Sequence, residues 1–290
     1  MQNIKTLAVL GAGTMGCGIT QVLAECGYSV FLRDVNQELA DTGLERIKRS
    51  LQKLVERSKT TEDKVAEIWS RITLTTDIHQ AVADADFVIE AITEKLELKK
   101  ELFKAIEKFG KANLILATNT STLSITELGS FTDMPQRFIG MHFMNPVPLM
   151  SLIEIVTGLL TSPETIKATG ELAISLGKEP IIVKDSPGFA TTRLGVALFM
   201  EASRMLEEGV ASVRDIDKAM RLGYGHRMGP FETCDLVGLD SRLNNINSLY
   251  ESTRDSLWKP PQILKKLISA GFLGKKPYSK GGYYQYFTPT

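Results

Sequence analysis

LAVLGAGTMGCGI (residues 7–19) decides the fold. An aliphatic run ends at Leu10, Gly11, Gly13 and Gly16 follow in G-x-G-x-x-G spacing, and an apolar helical pattern begins at once. Each glycine has a mechanical use: Gly11 for the tight turn, Gly13 for the approach of a pyrophosphate, Gly16 for close helix–strand packing. Free N–H groups at the helix start, around Thr14 and Met15, hold phosphates. The next β-type run, SVFLRD, ends in Asp34. An acid there accepts hydrogen bonds from the ribose hydroxyls of NAD and repels a 2′-phosphate. The competing use of Asp34 is as a helix N-cap, and Arg33 beside it is the one feature favouring NADP. The motif predicts a dinucleotide site for NAD rather than NADP.

Outward from this turn, β-type runs alternate with helical stretches. Strands are expected at Thr6–Leu10, Ser29–Arg33, Ile72–Thr75, Phe87–Ala91, Leu114–Ala117 and Phe138–His142, with helices over 14–26, 36–57, 95–109 and 122–129 between them. Such alternation predicts an α/β fold: a Rossmann-type, mostly parallel sheet with helices on both faces. Leu152–Thr157 and Pro180–Lys184 flank a further helix that starts near Ser162-Pro163. DSPGF (185–189) is a Pro/Gly break suited to a domain boundary. Beyond it Thr191–Glu208, Ser212–Leu222 and Leu236–Arg254 read as helices, with Ser212 before Asp215 as an N-cap. Two domains follow: 1–186, nucleotide-binding, and 187–290, smaller and all-helical.

Lys+Arg 34 against Asp+Glu 34 leaves no global field for nucleic acid or an anionic membrane, so any polyanion site is local. No apolar run approaches the ~20 residues of a membrane helix, and the first residues have no signal-peptide layout. The three cysteines (Cys17, Cys26, Cys234) lack metal spacing and read as small buried thiols in a reducing compartment. A cytoplasmic protein without a metal is expected. His79 reads as surface and His226 as loop.

GMHFMNPVPLMSLIEIV (140–156) sets His142 and Glu154 in apolar, strand-like runs around a prolyl turn. A buried carboxylate is costly unless something compensates it. A reversal centred on Pro148 would bring Glu154 opposite His142, and NPVPLM is suitable turn material.

With GAGTMGCGI, AITEKLELKKELF, NTSTLSITEL, HFMNPVPLMSLIEIV, DSPGF and MGPFE in that order, the chain resembles the L-3-hydroxyacyl-CoA dehydrogenase family, particularly its short bacterial 3-hydroxybutyryl-CoA members. The resemblance spans essentially the whole chain. It implies NAD-linked, reversible oxidation of a (S)-3-hydroxyacyl-CoA to the 3-oxoacyl-CoA by a homodimer joined through the helical domain. His142 matches the general base and Glu154 the carboxylate that orients it. The chemistry agrees, since alcohol oxidation needs a group that titrates near neutrality, and a carboxylate on the other ring nitrogen fixes the tautomer.

By the same resemblance Ser121 hydrogen-bonds the substrate oxygen, Asn145 contacts the cofactor, and Glu94 and Lys99 contact its nicotinamide half. Taken alone, Ser121 would be a loop or cap residue, Asn145 a turn residue, and Glu94 with Lys99 an exposed helix pair. Ser50 and Arg57 match CoA-binding positions on a helix where Arg46, Ser50, Lys53 and Arg57 recur on one basic face; the plain alternative is a solvated face. Lys276, in LGKKPYSKGGYYQY, stands where the family's closing lysine reaches the cofactor, although PYSK resembles an insertion. One departure is clear: PGFATTR carries Thr192 where the family pattern has asparagine, so a single hydroxyl replaces an amide. The competing readings are a dehydrogenase of a CoA-free 3-hydroxy acid and a non-catalytic NAD-binding homologue.

Overall fold

Short aliphatic runs with helical crossovers between them assemble into a single eight-stranded sheet. The computed structural model describes residues 4–288, and the chain divides into a unit ending at Asp185 and a second beginning at Ser186. The strands are β1 (Thr6–Leu10), β2 (Ser29–Arg33), β3 (Ile72–Thr75), β4 (Phe87–Glu90), β5 (Ile115–Thr118), β6 (Phe138–Phe143), β7 (Leu152–Thr157) and β8 (Glu179–Lys184), in the spatial order β3-β2-β1-β4-β5-β6-β7-β8. Every neighbouring pair is parallel except β6 and β7. The exception follows from chain length: a parallel return needs a crossover of a dozen or more residues, whereas the eight residues 144–151 suffice only for a reversal. Strands β4, β5 and β6 are buried along their whole length, as expected of a sheet covered on both faces.

The first unit's helices are α1 (Thr14–Glu25), α2 (Gln37–Glu56), α3 (Glu62–Trp69), α4 (Ile78–Val82), α5 (Leu96–Phe109), α6 (Ile125–Gly129) and α7 (Pro163–Ser175). Helix α3 was not expected; Thr61 caps it by accepting from the Lys64 N–H, and Val65 and Ile68 are its buried residues. The strand expected over Leu114–Ala117 runs one residue later, because the Leu114 N–H is taken by the Lys111 carbonyl. Helix α6 likewise starts late: the Thr122 and Leu123 N–H groups donate to the Thr120 hydroxyl, and Ser124 becomes the cap. Cys17 and Cys234 are buried free thiols, but Cys26 is exposed, since it ends α1 at the surface rather than facing the sheet.

The second unit contains α8 (Thr191–Glu207), α9 (Val213–Tyr224), α10 (Pro230–Val237), α11 (Leu239–Thr253), α12 (Gln262–Ser269) and α13 (Tyr283–Phe287) around a core that includes Phe199, Phe231, Ile246, Trp258 and Tyr283. The helix expected over Leu236–Arg254 is two helices. Gly238, at φ 102°, breaks the run in a conformation other residues rarely adopt, and Pro230 starts the earlier helix. Ser212 caps α9 as expected, accepting from the Asp215 N–H. Two buried carboxylates pin the core: Asp217 accepts from the Phe231 and Glu232 N–H groups, and Asp235 from those of Tyr283 and Tyr284. Burial pushes both carboxyls up from their ordinary range. Among the described residues no helix is long and apolar enough to cross a membrane.

The β1–α1 turn has no room for a side chain at Gly16. Gly11 has φ 110°, and a Cβ at Gly16 would stand 1.7 Å from the Gly11 carbonyl oxygen. Replacing Gly16 with Ala should therefore force the turn apart and cost about 2–3 kcal/mol, read in a thermal melt as a fall in Tm of roughly 5–10 °C. An unchanged melt would mean that the turn yields without cost.

Candidate active site

The nucleotide loop has the anatomy its glycines require. Gly13 is the N-cap of α1 and a Cβ built on it meets nothing within 4 Å, so its backbone faces open space. That space is part of a cavity of about 570 Å³ lined by Gly11, Gly13, Asp34, Val35, Arg46 and Thr93, among others. Asp34 is not a helix cap, since α2 is capped by Asn36. Instead its carboxylate accepts from the Ala12 N–H at 2.6 Å and the Val35 N–H at 2.7 Å, tying the end of β2 to the glycine turn. Arg33, the neighbouring cation, donates to the Thr76 carbonyl and is held below its ordinary pKa by burial, against the raising effect of Asp34. A cavity lined by the glycine turn, aliphatic side chains and the Asp34 carboxylate fits a dinucleotide.

On the other side of the sheet's centre, the antiparallel register places His142 directly opposite Glu154. Glu154 has no exposed surface and His142 has 9%. The imidazole Nδ1 lies 2.7 Å from Glu154 Oε2. A carboxylate at that distance fixes which ring nitrogen is used internally and leaves the other for external contacts. Two residues after His142 the chain leaves the sheet at Met144, then turns through Asn145 and Pro146. Asn145, Thr14 and Ser50 share a smaller cavity of about 170 Å³ with Arg46, so α1, α2 and the β6–β7 turn converge there.

The loop after β5 carries Ser121, which is half-buried. Its N–H donates to Glu94 Oε1 at 3.0 Å, and the Thr120 hydroxyl donates to the same oxygen at 2.8 Å. Asn119 accepts from the Phe143 N–H at 2.9 Å, which fastens the same loop beside His142. Lys99, expected to contact the nicotinamide half, is buried and ion-paired. It is 1% exposed, and its ammonium lies 2.6 and 2.8 Å from the two oxygens of Glu90 and 3.4 Å from Glu94 Oε2. It is not half of an exposed helix pair with Glu94, because α5 begins at Leu96 and turns Lys99 inward.

On α2, Lys53 is exposed and Ser50 half-buried, Ile47 and Leu51 are in the core, and Arg57, which caps the helix's C-terminal end, is exposed. Thr192 and Lys276 belong to the second unit. Thr192 lies in the first turn of α8, and Lys276 donates to Asp240 and Ser241. His79 and His226 are both exposed. Among the described residues there is no cluster of side chains able to hold a metal.

Sequence reasoning missed Glu90, the last residue of β4, which has no exposed surface. It accepts from the Thr118 hydroxyl and the Ile92 N–H as well as from Lys99. Burial lifts its carboxyl above the usual range while Lys99 and the two further donors pull it down. The signal was present in FVIE, where an acid closes an apolar strand just as Glu154 interrupts one.

Comparisons with known proteins agree over the whole length. The family model for the 3-hydroxyacyl-CoA dehydrogenase NAD-binding domain matches residues 6–186, and that for the family's C-terminal domain matches 188–286. A probable 3-hydroxybutyryl-CoA dehydrogenase of Bacillus subtilis is 44% identical, covering 98% of each chain. The mitochondrial hydroxyacyl-coenzyme A dehydrogenase of Homo sapiens is 39% identical, over 98% of this chain and 91% of that one. Among solved structures, (S)-3-hydroxybutyryl-CoA dehydrogenase of Ralstonia eutropha superposes with a TM-score of 0.90 at 40% identity, covering 94% of this chain and 96% of that one.

The buried charges make a prediction on stability. Lys99→Met strands the Glu90 carboxylate without its cation and should cost about 3–5 kcal/mol in chemical denaturation. Adding Glu90→Leu should restore much of that loss. A double variant no better than the single would contradict the pairing.

Proposed function

Since the chain belongs to the 3-hydroxyacyl-CoA dehydrogenase family, with its NAD-binding and C-terminal domains, we propose that it interconverts (S)-3-hydroxybutyryl-CoA and acetoacetyl-CoA, with His142 as the acid–base group. The observation that carries this reading is the buried His142–Glu154 pair, 2.7 Å apart. NAD, when bound, supplies the hydride acceptor for oxidation and, reduced, the donor for the reverse step. The chain's own residues handle the proton. With Nδ1 committed to Glu154, His142 takes the hydroxyl proton at Nε2 as the alcohol is oxidised and returns it in reduction. Glu154 keeps the ring oriented and offsets the charge it gains. Ser121 donates a hydrogen bond to the substrate oxygen, opposing the charge that develops there.

Asp34, Gly11, Gly13, Thr14, Met15, Gly16 and Asn145 serve the cofactor, and Glu94 borders its nicotinamide half. Ser50, Lys53 and Arg57 offer the local cationic face that CoA phosphates need on a chain without net charge. On the family resemblance we assign Lys276 to the cofactor and Thr192, with one hydroxyl in place of an amide, to the catalytic set. We assign the active form to a homodimer, on the family resemblance. Three free thiols suit a reducing, cytoplasmic setting.

Loss of NADH absorbance on mixing with acetoacetyl-CoA tests the activity, and its absence would refute the assignment. In that assay His142→Ala should lower kcat roughly 10²–10⁴-fold, the usual worth of a general acid–base. Thr192→Ala should cost no more than about tenfold, the worth of one neutral hydrogen bond; equal losses would sink that ranking. Reversing the charge at Lys53 and Arg57 should raise KM for the CoA ester about tenfold or more and leave that for NADH unchanged. If neither KM moves, CoA does not bind on this face.

A further inference from the structure

The turn between β6 and β7 reverses the chain in eight residues and carries Asn145. Pro146 and Pro148 withhold two N–H groups from it. The Leu149 and Met150 N–H groups both donate to the Pro146 carbonyl, at 3.0 and 3.1 Å. The Val147 and Met150 carbonyls are served from outside. Lys178, the residue before β8, donates its ammonium to the first at 2.7 Å and to the second at 2.8 Å. The α7–β8 connection delivers that side chain: Gly177 turns at φ 66°, and the Lys178 N–H donates to the Ala173 carbonyl. Lys178 is buried, and its ammonium makes no ion pair among the described residues. Burial lowers its pKa, against the raising effect of Cys26 and Glu25. A cation taken out of water onto two neutral acceptors is costly, so the arrangement needs a reason.

The turn lies against α1. Val147 is 2% exposed, and a Cβ at Gly18 would stand 2.9 Å from the Val147 Cβ. Asn145, Pro146, Val147 and Pro148 share the smaller cavity with Thr14, in the first turn of α1. We propose that Lys178 is a positioning residue for Asn145: it holds the Val147 and Met150 carbonyls so that the turn seats against α1, and it acts on the cofactor only through that turn. The inference rests on the reading of Asn145 as a cofactor contact. Its physical basis is the need of buried carbonyls for a donor. Without the ammonium the Val147 carbonyl loses its partner, and the turn must move to find another. Pro146 fixes one backbone torsion between Asn145 and Val147, so a shift at Val147 is carried to Asn145. His142 is placed differently, by register against Glu154 within the sheet. The effect therefore falls on cofactor affinity rather than on proton transfer.

The test uses the full-length protein and three readouts: the Kd of NADH from its fluorescence, kcat at saturating NADH and acetoacetyl-CoA, and Tm. Lys178→Met should raise the NADH Kd about tenfold, the worth of one hydrogen bond from a charged donor, and change kcat by less than about threefold. Lys178→Arg, which keeps a cation and its donors, should recover part of the affinity. Placed on Asn145→Ala, Lys178→Met should raise the Kd less than about twofold further, because the two act through one contact. A fall in Tm with an unchanged Kd would reduce Lys178 to a support of stability and overturn the proposal. A fall in kcat as large as the rise in Kd would overturn it too, as would a full multiplicative effect on the Asn145→Ala background. Should Lys178→Met fail to fold, Lys178→Gln decides: its neutral amide donates at shorter reach, must raise the Kd, and must add nothing to Asn145→Ala; an unchanged Kd overturns the proposal. Failure of the readings beneath it is separate. Asn145→Ala with wild-type affinity for NADH refutes the cofactor contact, an inactive wild-type protein refutes the function, and either removes the proposal with it.

Discussion

A carboxylate with no exposed surface, Glu154, stands across from His142 because β7 runs antiparallel to β6. Charges taken out of water must be matched by partners at close range, and here the match is made by backbone register. Shifting β7 by a single residue would turn Glu154 to the other face of the sheet and leave His142 opposite an aliphatic side chain. The short turn that forbids a parallel return thus fixes the His142–Glu154 pairing as well as the topology.

The same rule operates a second time in the first unit. At the end of β4 another apolar strand closes on an acid, Glu90, and is answered by Lys99 from the inward face of α5. Both buried acids lie in the strands β4–β7, on the side of the sheet away from β3, and both bear on proposed site residues. Glu154 fixes the imidazole directly, while Glu90 and Lys99 bear on the 118–121 segment through Thr118 and Glu94. Asn119 then joins that segment to the backbone of Phe143, next to His142. Apolar burial sets the sheet, but these few polar links set where its edge residues stand.

The glycine turn shows a different kind of constraint. At Gly16 the limit is steric, a carbonyl oxygen 1.7 Å from where a side chain would begin. At Gly13 it is the reverse, with nothing within 4 Å, which leaves the backbone open to a ligand. Asp34 bridges the two by bonding the Ala12 N–H from the next strand. One motif therefore combines close packing on the sheet side with exposure on the cavity side.

Much of this was legible in the sequence, because local patterns carried it. The strand–glycine–helix signature, the alternation of aliphatic runs with amphipathic stretches, and the position of the Pro/Gly break at 185–189 all depend on neighbours in the chain. The opposition of His142 and Glu154 could be read as well, since a short prolyl turn relates two nearby strands by simple counting. Where the sequence misled, local rules lacked the tertiary term. Gly238 splits a helix that periodicity alone would continue, Cys26 sits at an exposed helix end, and Lys99 looks like a solvated helix residue until α5 docks on the sheet. The sequence by itself determined the nucleotide fold and the His142–Glu154 pair, because both follow from spacing along the chain. Only the tertiary structure decided which charges are buried, because whether Lys99 meets water or the Glu90 carboxylate depends on how β4, β5 and α5 pack, and no interval in the sequence records that.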